Sequence, residues 1–583
     1  MNYRIRARRF YWRWYGELDL ADGPTLRLSG DVARWLRPGD EVQLQPTGDP
    51  LLPVLAPEEF TLLRRGTPVW PPFSEEVIHR RDGVYTRSLF ERRLRLREAS
   101  REEDFEAVAA LERYHGINEG RSLAIWRCPD GARIRADERP VCQAGSGRLL
   151  QIRGSTPASR FLLLEAVAPD PGEPRLLGYL RIDPPLPVML RRSPGGVQRE
   201  IREAVFPPDW FRPTFDLKQV APAGRSWQES AQELLDRVET GAARIGRILI
   251  HPEYRSQGLG SLLAHGGLQW TAERSLPDGR RQKHLLGCTA GAARHHPFLE
   301  KAGFRYLWDT ASGRPLLAAP LTDAAVGRLR RFLQNDPQAR EHGGRLYRPA
   351  YPRASGLSGP ILFREAEKSL AAELGASNET MAVLGAFGAA RKLRRRILPP
   401  VSLRIRPATI NLLTGSNEAG KHALIRLLWD EMPDGGWVDV PPDRVAAFIP
   451  GVSGSESEEE TVFANLTRRL ESAPAAVELL GRLGLADPIF WQATPDQLPA
   501  SQRERYFLAL LLAGRPDLLL LDDFAARQSP AGGRNLSIAL SRLAREAGIT
   551  LVVSSPCPGV PEALEPDVLI HVGYDTVHTE QLR

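Results

Sequence analysis

Three textures of hydrophobic and polar positions follow one another along the chain. Up to residue 88, short stretches alternate apolar with polar residues, as in Thr25-Leu26-Arg27-Leu28 and Glu41-Val42-Gln43-Leu44-Gln45, with Gly, Asp and Pro between them. Alternation is the period of a half-buried strand, so residues 1–88 are predicted to be a small β-rich module. From 89 to 350, strand-like runs such as Arg247-Ile248-Leu249-Ile250 mix with stretches of helical period. Phe105, Val108, Ala109 and Leu111 fall on one face of a helix predicted over 100–114, with Ser100 and Glu103 as a capping box. A Pro-rich insertion fills 183–213. From 351 onward, a strand-loop-helix opening leads into helices and then two short buried strands, and residues 349–360 read as the joint before it. The fold class expected is α/β and multidomain, in three units: 1–88, 89–350 and 351–583.

Length agrees with several units, since 583 residues exceed one hydrophobic core and a domain takes roughly 150. Lys+Arg 78 against Asp+Glu 71 leaves +7, mildly basic. With 42% hydrophobic and 26% charged residues the chain is ordinary globular protein, which excludes wholesale disorder. Its basic residues are nearly all arginine, a side chain suited to bidentate phosphate contacts. Cys128, Cys142, Cys288 and Cys557 contain no C-x-x-C pair and argue against a disulfide framework or zinc ribbon. The first nine residues hold four arginines and no apolar core of a signal peptide, and the longest apolar runs fall short of the roughly 20 residues of a membrane span. A cytoplasmic protein with no membrane partner is expected.

Two basic segments bear on partners. Tyr3, Phe10, Tyr11, Trp12, Trp14 and Tyr15 interleave with Arg4, Arg6, Arg8, Arg9 and Arg13, as in proteins that stack single-stranded nucleic acid, or as in an amphipathic first strand with its arginines in water. Arg391, Lys392, Arg394, Arg395 and Arg396, with Arg404 and Arg406, suit a phosphate backbone, or else a helix end whose cations meet the C-terminal dipole. Residues 454–461, with Glu456 and Glu458 to Glu460, read as a solvated acidic loop.

Chemistry concentrates in two loops. In the first, the strand Arg247–Ile250 leads through His251-Pro252-Glu253-Tyr254 into Arg255-Ser256-Gln257-Gly258-Leu259-Gly260, and then into a helix carrying Leu262, Leu263 and Trp270. Glycines let the backbone approach a bound group, and a helix start offers unpaired N–H groups to a pyrophosphate. Further on, Leu285–Thr289 reads as a strand and His296–Phe304 as a short helix that ends in Gly303.

These residues resemble the GCN5-related N-acetyltransferase (GNAT) superfamily over about 90–320. Arg255, Gly258 and Gly260 meet its [R/Q]-x-x-G-x-[G/A] acyl-CoA motif, and Phe298, Glu300, Lys301, Gly303 and Phe304 its later F-Y-E-K-x-G-F pattern. The resemblance implies acetyl-CoA or another acyl-CoA as donor, with Ile248 and Ile250 pairing with the pantetheine arm and the amides of Gln257, Gly258, Leu259, Gly260 and Ser261 holding the pyrophosphate. It implies direct acyl transfer, with a base to deprotonate the acceptor and an acid to protonate the thiolate. The family's acidic tyrosine is Leu299 here, so His251, His295, His296, Tyr254 and Tyr306 become the candidates. The acceptor side runs from His115 to Glu239.

In the second loop, Ala408–Thr414 is strand-like and leads into Gly415-Ser416-Asn417-Glu418-Ala419-Gly420-Lys421-His422, then a helix with Leu424, Leu427 and Leu428. G-x-x-x-x-G-K in this context is a phosphate-binding loop, with Lys421 at the β/γ oxygens. Leu518–Leu521 followed by Asp522 and Asp523 reads as a buried strand ending in carboxylates, preceded by Leu498–Arg505, where Ser501 and Glu504 form a capping box. Order and spacing resemble ATP-binding cassette (ABC) ATPases over about 400–583. The resemblance implies ATP and Mg2+ as ligands, Gly415, Asn417, Gly420, Lys421, His422, Asp522 and Asp523 at the nucleotide, Asp522 on the metal, and a head-to-tail homodimer. The departures are His422 for the Ser/Thr magnesium ligand, Asp523 for the catalytic glutamate, Pro499 and Ser501 in the signature, and Ser554 or Ser555 for the switch histidine.

The function expected is acyl-CoA-dependent N-acyltransfer to a macromolecular acceptor, with DNA or RNA favoured, alongside a regulatory or structural ABC-like domain. Two alternatives stand beside it: a non-catalytic scaffold built from both domains, and an ATP-dependent nucleic-acid remodeller.

Overall fold

The computed structural model describes residues 1–11, 15–46, 60–115, 122–143, 145–169, 171–216, 227–352, 355–373, 375, 377–441, 444–450 and 459–583. Trp12, Arg13, Trp14, Glu456 and Glu458 lie outside these. The chain divides into two compact units, Met1–His79 with Arg92–Arg348, and Arg80–Glu91 with Pro349–Arg583.

In the first unit, β1 (Asn2–Tyr11), β2 (Tyr15–Leu20), β3 (Thr25–Leu28), β4 (Glu41–Pro46), β5 (Phe60–Arg64) and β6 (Thr67–Trp70) make an antiparallel sheet ordered β3-β2-β1-β4-β5-β6. The alternation of Thr25–Leu28 buries Leu26 and Leu28 and exposes Thr25 and Arg27. Among the described N-terminal aromatic and arginine residues the amphipathic strand is found in part: the Arg8 side chain is buried and pairs with Asp236 at 3.2 Å, and Tyr15 is exposed. Tyr3 and Phe10 pack on the core, while Arg4 pairs with Glu41 and Arg9 with Glu17 and Asp19.

The larger sheet of this unit draws on β7 (Ser74–Arg81), β8 (Phe90–Glu98), β12 (Arg160–Ala166), β13 (Leu176–Asp183), β14 (Ala242–Ile250), β15 (Leu285–Thr289), β16 (Arg305–Asp309) and β17 (Pro315–Pro320); between them in the chain, β9 (Ala124–Arg127), β10 (Arg133–Ala136) and β11 (Arg148–Ile152) form a small sheet of their own. The large sheet is ordered β16-β17-β15-β14-β13-β12-β8-β7, and β14 and β15 run parallel. Because successive strand residues face opposite ways, it serves two cores. Leu162, Leu180 and Ile182 pack with Leu263 and Trp270 of α2 (Leu259–Arg274), whereas Phe161, Leu163, Tyr179 and Leu249 pack with Phe105 and Val108 of α1 (Glu102–Leu111). Trp270 and Leu263 are wholly buried, each contributing about 2–3 kcal/mol.

The capping of α1 is displaced by one residue from the expected one. Arg101 is the N-cap and Asp104 closes the box, its Oδ2 accepting the N–H of Ser100 and Arg101 at 2.9 and 3.0 Å. Aspartate, one carbon shorter than Glu103, reaches back because Arg97 also grips its carboxylate. Cys128 and Cys142 form a disulfide with Cα atoms 6.2 Å apart, which corrects the expectation drawn from the cysteine pattern against a disulfide framework, and Cys288 and Cys557 are buried and free. The two cysteines are 14 residues apart in sequence, a spacing that announces no pairing.

The second unit holds β18 (Ile361–Glu373), β19 (Lys392–Ile405), β20 (Ile410–Thr414), α3 (Lys421–Trp429), β21 (Gly435–Asp439), β22 (Val445–Phe448), α4 (Ala500–Ala513), β23 (Leu518–Leu521), α5 (Pro530–Ala547), β24 (Thr550–Ser554), β25 (Val568–Val572) and β26 (Val577–Gln581). One sheet is ordered β19-β18-β21, the other β22-β23-β24-β20-β25-β26, parallel apart from its last, antiparallel pair. Strands covered on both faces read as unbroken apolar runs, which is why Leu518–Leu521 is buried at every position. Residues 392–405 form a 14-residue strand, which corrects the reading of a helix end. Arg394 and Arg396 there face Asp434 and Glu367 at 3.8 and 3.5 Å, so cross-strand carboxylates, not a helix dipole, meet their charge. Helix α4 begins at Ala500 with Pro499 as N-cap, so Ser501 does not cap it, and Glu504 instead accepts a hydrogen bond from Gln528 Nε2 at 2.8 Å. Among the described residues no helix is long and apolar enough to cross a membrane.

Candidate functional site

In the first unit the candidate site starts at the place where β14 loses one neighbour. Its register with β15 runs from Ala242 to Ile245 and stops, while its register with β13 continues to Ile250. Residues 246–250, including Ile248 and Ile250, thus keep a sheet partner on one side only. A single turn, Pro252–Tyr254, carries the chain away, and Arg255 ties it down by donating from Nε to the Ile250 carbonyl and from Nη2 to the Tyr114 carbonyl, both at 3.0 Å. Gln257 is buried, its Nε2 donating to the Glu253 carbonyl at 3.1 Å, and its own carbonyl lies 2.8 Å from His79 Nε2. Gly258 is the N-cap of α2 with φ +87°, a left-handed conformation that favours glycine. Leu259 is buried in the core, and Gly260 and Ser261 follow half-buried in the first turn, where the Ser261 and Leu262 N–H groups donate to the Gly258 carbonyl at 3.1 Å and the amides of Leu259 and Gly260 are the donors a helix start leaves without intrahelical acceptors.

The catalytic candidates fall into two groups. His251 and Tyr254 have ring centroids 5.8 Å apart, and Tyr114 lies 4.8 Å from His251. His251 Nδ1 is buried without a hydrogen-bond partner, and burial lowers the pKa of this imidazole, so the neutral form is favoured. Burial and neighbouring Glu173 push the Tyr254 hydroxyl up to about 12, and the Arg92 guanidinium sits 5.0 Å over its ring. Tyr306 belongs to other surroundings: its hydroxyl donates to Asp309 at 2.8 Å, and burial with that bond raises its pKa. His295 and His296 are half-buried just before the short helix Phe298–Lys301, in which Leu299 is wholly buried.

A polar network beside β14 escaped sequence reasoning. Glu112, wholly buried, accepts a hydrogen bond from the Tyr179 hydroxyl and pairs with Arg247 Nε at 3.2 Å and Arg153 Nε at 3.3 Å. Arg247 Nη1 reaches the ring nitrogens of His115, whose pKa burial and Arg247 lower. Next to it Asp183 pairs with Arg181 at 3.0 Å and Arg244 at 2.9 Å, while Arg181 Nη1 is buried without a hydrogen-bond partner. Four guanidinium groups thus surround two carboxylates. The signal available was positional: Glu112 continues the stripe of Phe105 and Val108, at the third and seventh places a helix face repeats.

In the second unit, β20 enters the loop 415–420 and α3 leaves it. Gly415 and Gly420 have φ +135° and +107°, and a Cβ on them would stand 2.0 Å from the Val572 carbonyl oxygen and 2.3 Å from that of Ile397. Both glycines are therefore required by the protein's own packing. Lys421 Nζ donates to the carbonyls of Gly415 and Ser416, each at 2.7 Å, and the Asn417 carbonyl accepts the Tyr574 hydroxyl at 3.0 Å. His422 Nδ1 lies 2.5 Å from Asp522 Oδ2, and Ser554 Oγ donates to Asp522 Oδ1 at 2.6 Å. Asp523 is exposed, and its N–H donates to Ser554 Oγ at 3.0 Å.

No family model matches the chain. Among curated proteins it is similar to the Fe(3+) ions import ATP-binding protein FbpC 3 of Rhodococcus jostii (strain RHA1), 32% identical over 181 residues, 28% of this chain and 51% of that protein. It is also similar to the methionine import ATP-binding protein MetN of Thermobifida fusca (strain YX), 33% identical over 175 residues, 26% of this chain and 54% of that one. The chain thus spans about half the length of these relatives. Among solved structures, the dimeric MJ0796 bacterial ABC transporter cassette matches over 38% of this chain and 99% of its own, at 18% identity and TM-score 0.30. Part of this chain is accordingly an ABC ATPase-like, ATP-binding-protein-like region.

Proposed function

We propose that the first unit is a GNAT-type acyltransferase that moves an acyl group from acyl-CoA to an anionic macromolecular acceptor, nucleic acid before protein, and that the second is a nucleotide-binding ABC-type unit that regulates it. The observation that carries this is the parting of β14 from β15 after Ile245, followed by the left-handed Gly258 at the start of α2. A strand with one open side, then a glycine turn, then a helix start is the arrangement the GNAT resemblance requires for the pantetheine arm and pyrophosphate. The order of the large sheet supports it too, with the last strand, β17, set between β15 and β16. Within it, His251 serves as base, because its lowered pKa keeps it neutral, and Tyr254 as acid, because its raised pKa keeps its proton.

The acceptor's charge is argued from the network at Glu112. Four arginines against two carboxylates leave positive charge beside the open stretch of β14, where a phosphate would compensate it. Regulation by a nucleotide rests on the loop at Gly415–Lys421 and on the likeness to ATP-binding proteins; pairing of two chains through this unit is part of the same proposal.

Two measurements test the reading. Calorimetric titration with acetyl-CoA is expected to show saturable binding, and mass spectrometry of DNA and RNA incubated with protein and acetyl-CoA is expected to show an added acyl mass. Absence of acetyl-CoA binding overturns the acyltransferase reading, and acylation confined to protein overturns the nucleic-acid acceptor.

A further inference from the structure

The cassette's metal position is built unlike a magnesium site. Mg2+ takes hard oxygen ligands in near-ideal octahedral geometry. Here the residue after Lys421 offers an imidazole, and that imidazole lies 2.5 Å from the one carboxylate expected to receive the ion. The other oxygen of Asp522 accepts the Ser554 hydroxyl, and Asp522 is only 5% exposed. A cation entering would have to displace His422 from a buried carboxylate and gain a single oxygen ligand. Among the described residues no group of three His, Cys, Asp or Glu side chains could hold a metal.

The phosphate-binding half of the site shows no such obstruction. Both loop glycines hold their left-handed conformations, Lys421 lies over the loop carbonyls, and α3 starts at Lys421 with its unpaired amides and positive dipole end. We infer that this unit binds a nucleoside di- or triphosphate without a divalent cation, with the His422–Asp522 pair standing where the magnesium ion stands in an active cassette. Such a site reports nucleotide occupancy and does not turn it over, because nothing then bridges the β and γ oxygens as charge develops on them. The inference rests on the proposal that the loop binds nucleotide at all, and the experiment separates the two.

Full-length protein is titrated with a methylanthraniloyl ATP analogue, once in EDTA and once in excess Mg2+, with a thermal melt to show that each variant is folded. The wild type is expected to bind within threefold in the two buffers, and Lys421→Ala at least tenfold more weakly in both. His422→Thr, which frees Asp522 and restores a hydroxyl, is expected to bind at least tenfold more tightly with Mg2+ than without. Tenfold tighter wild-type binding in Mg2+ overturns the inference, as does a His422→Thr protein indifferent to the ion. No binding in either buffer overturns the nucleotide-binding proposal itself.

Discussion

Both glycine loops follow a strand and open a helix, yet they need their glycines for different reasons. At Gly415 and Gly420 the missing Cβ makes room for the carbonyls of Val572 and Ile397, less than 2.5 Å from where it would stand. At Gly258 the nearest atom to such a Cβ is His79 Cε1 at 3.5 Å, an ordinary contact, so only the positive φ asks for glycine; at Gly260 the nearest is Phe298 at 3.7 Å and no unusual φ applies. The second loop's glycines are demanded by backbone packed against them, whereas the first loop's would accept a Cβ in ordinary contact. A glycine motif therefore says nothing by itself about a ligand, because packing within the protein can require it on its own.

Substitutions turn that contrast into numbers. Gly420→Ala adds a close backbone contact to a strained dihedral and is expected to cost about 4 kcal/mol. Chemical denaturation followed by two probes should show the second unit's transition moving while the first unit's stays. A loss under about 1 kcal/mol would mean that the loop rearranges freely and would erase the contrast. Gly258→Glu costs only about 1–2 kcal/mol of backbone strain but places a carboxylate where a pyrophosphate is proposed. Acetyl-CoA affinity is expected to fall about a hundredfold or more, and unchanged binding by calorimetry would remove the acyl-CoA site from this loop.

His251→Gln tests the same site through its chemistry, with kcat expected to fall about a hundredfold. Because burial lowers the His251 pKa below 6.5, its base form predominates at neutral pH. On the acid side the wild-type rate should then fall only below pH 6.5, and an acid limb that begins above that value assigns the base elsewhere. Gly260→Ala gives the smallest effect. Alanine also satisfies the motif and suits a helix better, so stability should rise by about 0.5–1 kcal/mol and acetyl-CoA affinity stay within about twofold.

Legibility in the sequence followed locality. The strand Leu518–Leu521, the face of α1 and the two strand-loop-helix units were readable because each depends on residues a few places apart. The end of α1 was misjudged by one residue because Arg97, on a neighbouring strand, recruits Asp104. A helix end stayed open as one reading of the 392–405 strand because a run of like charges has no period, and its partners Glu367 and Asp434 lie on or beside other strands. Tyr306 seemed close to the histidine candidates along the chain, but its hydroxyl is committed to Asp309.

The sequence by itself determined where backbone must turn and where it must be buried, since glycine, proline and apolar runs act through the local chain. It also placed a histidine, His422, directly after Lys421, where the ABC resemblance implies a hydroxyl. Only the tertiary structure decided that His422 sits against Asp522, that β14 parts from β15 at Ile245, and that Glu112 gathers Tyr179, Arg153 and Arg247. Each of these joins groups far apart in the chain, and the charge pairing and hydrogen bonding that offset the desolvation cost of the buried polar groups exist only once the sheets and helices have packed.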